Sequence, residues 1–268
     1  MTIMMIRSVD AWAPSKRLVC RSTSLYLESS LRTVSGTSVD STTNKLWDEE
    51  LPVGARCVAL QLQETNQQHW IPTVLHPLEL EYGRQLPSFK TRNSFFLGRL
   101  ALRQVLDTKE PILKDAYGRP RLPAGYVASI SHKGPVGVAL LQASMMGSIG
   151  VDLEYSHGNP NVARKVLTPH EQESLGQIPT VTPEEEVLLR FSMKESLYKA
   201  MHPYLCHYVG FQQVEVQPTA DGRGHVQLLF PNATRLSDVQ IYWQRMGPYF
   251  LSSCRVLPVS VTNENRKE

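Results

Sequence analysis

Two short stretches give the chain the same local instruction. Thr168-Pro-His-Glu171 and Thr182-Pro-Glu-Glu185 each set Thr at a helix cap, Pro in the first turn and Glu three residues after the Thr. The Thr hydroxyl accepts from an otherwise unpaired amide, the Glu carboxylate reaches back, and Pro brings no amide to satisfy. The second start opens a helix to about Met201 that presents Val187, Leu188, Phe191 and Tyr198. Strand patterns flank it on both sides, so the chain is neither all-helical nor all-β. Before it, residues 57–62, 126–130 and 136–142 read as strands, the last two joined by the turn His132-Lys-Gly-Pro135. Residues 92–106 read as an amphipathic helix with Phe96, Leu100 and Val105 near one face. After it, residues 214–216, 226–230, 241–243 and 249–256 alternate as strands, with a turn at Asp221-Gly222. No exact repeat appears, yet each half holds strands and a helix. The expected fold class is α+β (α/β): two similar subdomains meeting near residues 146–149.

The domain reading is 1–48 as a disordered, transit-like presequence, 49–147 and 148–260 as the two subdomains, and 261–268 as a polar tail. The first 45 or so residues are rich in Ser and Thr, basic and poor in acids, which suits an organellar transit peptide. The segment Asp10-Ala-Trp-Ala-Pro14 resembles the cleavage region of plastid presequences in algae with complex plastids. Localisation is therefore expected in the plastid or mitochondrion, and otherwise in the cytoplasm. No apolar run approaches the roughly 20 residues of a membrane span. The net charge of +3 carries no dense Lys/Arg stripe interleaved with aromatics, so neither membrane nor nucleic acid is expected as a partner. Four scattered cysteines without a C-x-x-C pair argue against a disulfide framework or zinc site. Asn232-Ala-Thr234 is formally a glycosylation acceptor, of little meaning without a secretory signal.

Three segments bear chemistry. In Ile149-Gly-Val-Asp-Leu-Glu154, strand alternation puts Asp152 and Glu154 on one face and Val151 and Leu153 on the other. Adjacent carboxylates repel unless a cation sits between them, and Mg2+ suits a few carboxylates completed by water and phosphate. Alone, the pattern also fits a solvated edge strand. In Phe191-Ser-Met-Lys-Glu-Ser-Leu-Tyr-Lys199, Glu195 and Lys199 share a helical face, with Lys194 at its border. A third carboxylate could join a metal site and a lysine could meet phosphate; a plain i,i+4 salt bridge is the alternative. Ser129-Ile-Ser-His132 and Lys133, at a strand exit, could receive a phosphate. No acidic neighbour there suggests a hydrolase triad, and no G-x-x-x-x-G-K-[ST] loop supports a nucleotide hydrolase.

Taken in order, these segments resemble the 4'-phosphopantetheinyl transferases of the surfactin and enterobactin synthetase type. The resemblance rests on Phe96-Leu-Gly-Arg99 with Arg103, Tyr117-Gly-Arg-Pro120, Ser129-Ile-Ser-His132, Ile149 to Glu154, and Phe191 to Ala200. It covers roughly residues 76–216. It implies a pseudo-dimer with coenzyme A bound between the halves, and Mg2+-dependent transfer of 4'-phosphopantetheine to a serine of an acyl or peptidyl carrier protein, releasing 3',5'-ADP. Under it, Asp152, Glu154 and Glu195 hold Mg2+. Ser131 and His132 contact the phosphates of coenzyme A, and Arg99, with Lys90 and Arg92, meets the 3'-phosphate side. Lys199 sits on the pyrophosphate with Lys194 near it, and Glu171 aligns with the proposed general base, although capping alone explains that residue. The 201–209 segment is the candidate carrier-docking loop, and a monomer is expected. The alternative is a non-catalytic coenzyme A-binding module. The carrier, whether of fatty-acid, polyketide or non-ribosomal peptide synthesis, is left open.

Overall fold

The computed structural model describes residues 38–40, 43–63, 74–158, 160–231, 233 and 236–258. Two five-stranded antiparallel sheets follow one another along the chain. The first is built from β1 (Ser38–Asp40), β2 (Thr43–Leu51), β3 (Ala55–Leu62), β4 (Tyr126–Lys133) and β5 (Val136–Ala143), in the order β1-β2-β3-β5-β4. The second is built from β6 (Ser148–Tyr155), β7 (Val214–Pro218), β8 (Arg223–Leu228), β9 (Leu236–Met246) and β10 (Tyr249–Pro258), in the order β6-β10-β9-β8-β7. In the first sheet, α1 (Pro77–Arg84) and α2 (Phe89–Val105) lie between β3 and β4 in sequence. In the second, α3 (Ala163–Val166), α4 (Pro169–Glu173) and the long α5 (Pro183–Leu205) lie between β6 and β7.

Strand alternation explains how the layers assemble. On β3, Val58, Leu60 and Leu62 turn towards α2 and pack with Phe96, Leu97, Leu100 and Leu102. Their neighbours Cys57 and Ala59 turn the other way, joining Val136, Val138 and Leu140 of β5. That second face meets Ile149, Val151 and Leu153 of β6 and Leu251 of β10 from the other sheet. The far face of the second sheet is covered by α5, where Leu189, Met193 and Leu197 pack with Ile241, Phe250 and Cys254. The order is helix, sheet, sheet, helix, with three apolar seams. The link between the halves is a single 3-10 turn, Ser144–Met146.

The expected strands and both long helices are present, and the α+β architecture of two similar halves stands. Three boundaries differ from the sequence reading. β1 and the start of β2 lie within the stretch assigned to the disordered presequence, and β2 pairs with β3 along its length. Its outer residues are polar and half-exposed, so no alternation betrays it. It is held by the ladder and by Asp48, which accepts from Arg56 (2.8 Å) and Lys45 (3.1 Å). α2 starts earlier than expected because Ser88 caps it in a box with Thr91. α1 was not expected at all; its cap is a histidine, His76, whose ring accepts from Leu78 N. The rest of the presequence (1–37 and 41–42), the tail (261–268) and Asn232 and Thr234 lie outside the described residues.

Candidate functional site

The strand β6 carries two different faces. Its odd-numbered residues are spent in the seam between sheets, leaving Gly150, Asp152 and Glu154 to face α5. Helix α5 meets this face with small residues: Ser192, Ser196 and Ala200 recur every four positions, and Ser192 Oγ lies 2.8 Å from Ser252 Oγ on β10. A Cβ on Gly150 would come within 1.8 Å of the Ser196 carbonyl oxygen. The absent side chain therefore lets helix and strand touch backbone to backbone. That closeness lets Lys199 Nζ donate to Val151 O (2.9 Å) and to Asp152 Oδ1 (2.8 Å).

Around this contact the charges alternate. Asp152 and Glu154 are buried. Asp152 Oδ1 also accepts from Ser131 Oγ (2.8 Å), and Glu154 pairs with Lys133. Glu195, one turn before Lys199, takes no hydrogen bond or ion pair from any described group. Its pKa is raised, first by burial and then by Asp152 and Glu154, with Lys199 opposing. A partly buried carboxylate beside two others, with no donor of its own, calls for a proton or a cation. His132 stands on the exposed end of β4. Its pKa is lowered, first by desolvation and then by Lys199, Lys90 and Lys133, with Asp152 opposing. Lys90, exposed at the start of α2, thus shares one cationic rim with His132, Lys133 and Lys199.

The oxygen-only donor set Asp152, Glu154 and Glu195 suits a hard divalent cation. It is not a ready-made cage: among the described residues no three His, Cys, Asp or Glu side chains converge as a metal-holding group. Asp152 and Glu154 are occupied by lysines, while Glu195 has no hydrogen-bond or ion-pair partner among the described residues. This fits Mg2+, which binds through one or two carboxylates and leaves positions for water and substrate phosphate.

Four expectations are corrected by the geometry. Arg99, expected on the 3'-phosphate side, is 4% exposed; it donates to Ile112 O (2.5 Å) and Leu113 O (3.3 Å) and stacks on Phe95. Desolvation lowers its pKa to about 10. It holds the loop after α2 and is not presented to a ligand. Lys194, expected near the pyrophosphate, is 3% exposed and spends all three donors on Val166 O (2.8 Å), Phe211 O (2.9 Å) and Glu171 Oε2 (2.5 Å). Glu171 is 2% exposed. Its Oε2 also accepts from Thr168 N (2.9 Å) and its Oε1 from Val216 N (2.8 Å). It is a cap and a buried counter-ion tying α4, α5 and β7 together, and neither oxygen faces solvent as a base for an incoming hydroxyl would. Ser131 faces Asp152, not the exposed rim, because it alternates with His132 along β4. Arg92 is half-buried on α2, its Nε without a partner among the described residues. Lys133, read only as a strand-exit cation, is the ion-pair partner of Glu154. Gly150 was missed, although a glycine inside a strand pattern signals close backbone approach.

Where the two α+β halves meet, the carboxylates Asp152, Glu154 and Glu195 lie beside the cationic side chains Lys133 and Lys199. Residues 148–251 match the family model of the 4'-phosphopantetheinyl transferase superfamily. Residues 88–142 match that of the 4'-phosphopantetheinyl transferase N-terminal domain. The chain belongs to the 4'-phosphopantetheinyl transferase superfamily. It is similar to the 4'-phosphopantetheinyl transferase PptT of Mycobacterium tuberculosis, 30% identical over 142 residues, which cover 50% of this chain and 62% of the relative. It is also similar to the 4'-phosphopantetheinyl transferase Svp of Streptomyces mobaraensis, 33% identical over 139 residues, covering 50% and 54%. The chain thus spans less than two thirds of the length of these two relatives. Among solved structures, the holo-ACP-synthase from Plasmodium yoelii aligns with a TM-score of 0.32 and 18% identity, over 41% of this chain and 93% of that one. The ACPS-CoA complex of Chronobacterium ammoniagenes aligns with a TM-score of 0.32 and 22% identity, over 41% and 96%.

Proposed function

We propose that this chain transfers the 4'-phosphopantetheine arm of coenzyme A to a serine of an acyl or peptidyl carrier protein, with Mg2+ held by Asp152, Glu154 and Glu195. The observation that carries the reading is Glu195, without a hydrogen-bond or ion-pair partner among the described residues, set beside Asp152 and Glu154 within a rim of lysines. In the reaction the serine hydroxyl gives up its proton to solvent, its oxygen forms a bond to the pantetheine-side phosphorus, and the bond to the leaving 3',5'-ADP breaks. When bound, Mg2+ supplies charge neutralisation for the pyrophosphate. The chain's own residues contribute cations: Lys199, Lys133 and Lys90 line the approach. His132, its pKa lowered, offers a ring N–H as a hydrogen-bond donor. Both halves of the cleft come from one chain, so a monomer suffices. Tyr208, exposed in the 201–209 segment and edge-on to Tyr198, is the candidate contact for the carrier. Tyr204 is a packing residue: its hydroxyl donates to Val256 O (3.3 Å). The Ser/Thr-rich basic composition of residues 1–37 favours plastid delivery, which a reporter fusion would test.

The test is the intact mass of apo carrier proteins incubated with this protein, coenzyme A and Mg2+. A gain of one phosphopantetheine group, lost with chelator and with Asp152→Ala, supports the reading. No gain on fatty-acid, polyketide or peptide carriers, with coenzyme A still bound in a titration, leaves a binding module instead.

A further inference from the structure

β4 and β6 are edge strands, one from each sheet, and they lie side by side without a backbone ladder between them. Serine hydroxyls stand where carbonyls would be. Ser129 Oγ accepts from Val151 N (3.0 Å), and two residues on, Ser131 Oγ accepts from Leu153 N (3.3 Å). From the other side, Lys199 takes Val151 O. The exposed edge of β6 is thereby satisfied by side chains of two different elements.

The two serines are not equivalent. The hydroxyl of Ser131 also donates to Asp152 Oδ1, at 2.8 Å, and Ser129 has no such contact with a carboxylate. A hydroxyl owns one proton. Given to Asp152, that proton is not available to a phosphate. Asp152 Oδ1 then receives two donors, Ser131 from β4 and Lys199 from α5, and Oδ2 takes none among the described groups. The carboxylate can neither rotate nor exchange its oxygens without breaking both bonds.

We propose that Ser131 is a positioning residue for Asp152. With Lys199 it pins Oδ1 so that Oδ2 alone is offered to the cation, and it ties that orientation to the contact between the halves. The inference rests on the metal-dependent reading above. It gives Ser131 a role in metal affinity and none in binding coenzyme A. Outer partners of ligating carboxylates are worth about 10–100-fold in metal affinity.

The experiment is a Mn2+ titration of the intact protein, without coenzyme A, read by the loss of the free-ion paramagnetic resonance signal. Ser131→Ala is expected to bind Mn2+ at least about 10-fold more weakly than wild type. Ser131→Thr, which keeps the hydroxyl, restores binding, and Ser129→Ala, which opens the seam but spares Asp152, leaves it near wild type. In transfer assays Ser131→Ala raises the Mg2+ requirement and leaves the KM for coenzyme A unchanged. Wild-type Mn2+ affinity in Ser131→Ala, or a raised KM for coenzyme A with metal binding intact, overturns the inference. Should Ser131→Ala fail to fold by circular dichroism, Ser131→Cys supplies a weak donor of similar size for the same titration. A wild type that binds no Mn2+ refutes the metal-dependent reading itself, which distinguishes that failure from this one.

Discussion

Replacing Gly150 by Ala adds one methyl group at the point where β6 and α5 touch. An ideal Cβ there stands 1.8 Å from Ser196 O and 2.8 Å from Ala200 N, both backbone atoms. The first distance is roughly half of the 3.5–4.0 Å of an ordinary contact. A flexible side chain could swing aside, but helix backbone cannot, so α5 must move as a unit. Overpacking costs about 1–3 kcal/mol, and a clash with backbone belongs at the upper end. In a fold of this size about 3 kcal/mol lowers Tm by about 6–12 °C. The functional effect is separate, because α5 carries Glu195 and Lys199 while β6 carries Asp152 and Glu154. Retreat of the helix by about 1 Å separates the two sets, and misplacement on that scale costs about 100-fold in rate. Scanning fluorimetry and the carrier mass assay, run well below the variant's Tm, read the two effects. Gly150→Ala with wild-type Tm and wild-type transfer would falsify the claim that this contact sets the site.

Glu171→Gln leaves Lys194 buried without its counter-ion, and removing one partner of such a pair costs about 3–5 kcal/mol. A large fall in Tm is expected, with transfer per folded molecule within about 10-fold of wild type at low temperature; a stable but inactive variant would restore the general-base role. Glu195→Gln should raise Tm in chelator. The raised pKa of Glu195 means that the fold disfavours its charged form, a penalty present above that pKa and removed by the neutral amide. Added Mg2+ should stabilise wild type and not the variant, and a lower Tm in chelator contradicts the electrostatic account. Tyr208→Ala should raise the KM for the carrier and not for coenzyme A, and unchanged carrier kinetics would remove Tyr208 from the docking surface.

What the sequence made legible follows from local rules. The caps at Thr168 and Thr182, the same-face placement of Asp152 and Glu154, and the pairing of Glu195 with Lys199 on one helical face all depend on spacing alone. The misread residues are those whose partners lie far along the chain. Arg99 and Lys194 look like phosphate ligands because a cation in sequence shows no sign of the carbonyls it will meet. Arg99 finds Ile112 O 13 residues on, and Lys194 finds Val166 O 28 residues back. Glu171 is the mixed case: its capping box was readable, whereas its bond to Val216 N, 45 residues away, was not. β2 was missed because its stability comes from pairing with β3 and from Asp48, not from an apolar face of its own.

The apolar seam between the two sheets has a bearing on how the chain could be cut. Neither sheet has an inner face that could stand in water: Val136, Val138 and Leu140 from one and Ile149, Val151 and Leu153 from the other are buried together in one cluster. The covalent link across the junction is by contrast slight, a turn whose Met145 is 87% exposed. A nick at Met145 should therefore leave two fragments that stay together as one particle, while either fragment made alone presents a sticky plane and precipitates. The halves are separable as sequence and inseparable as solutes.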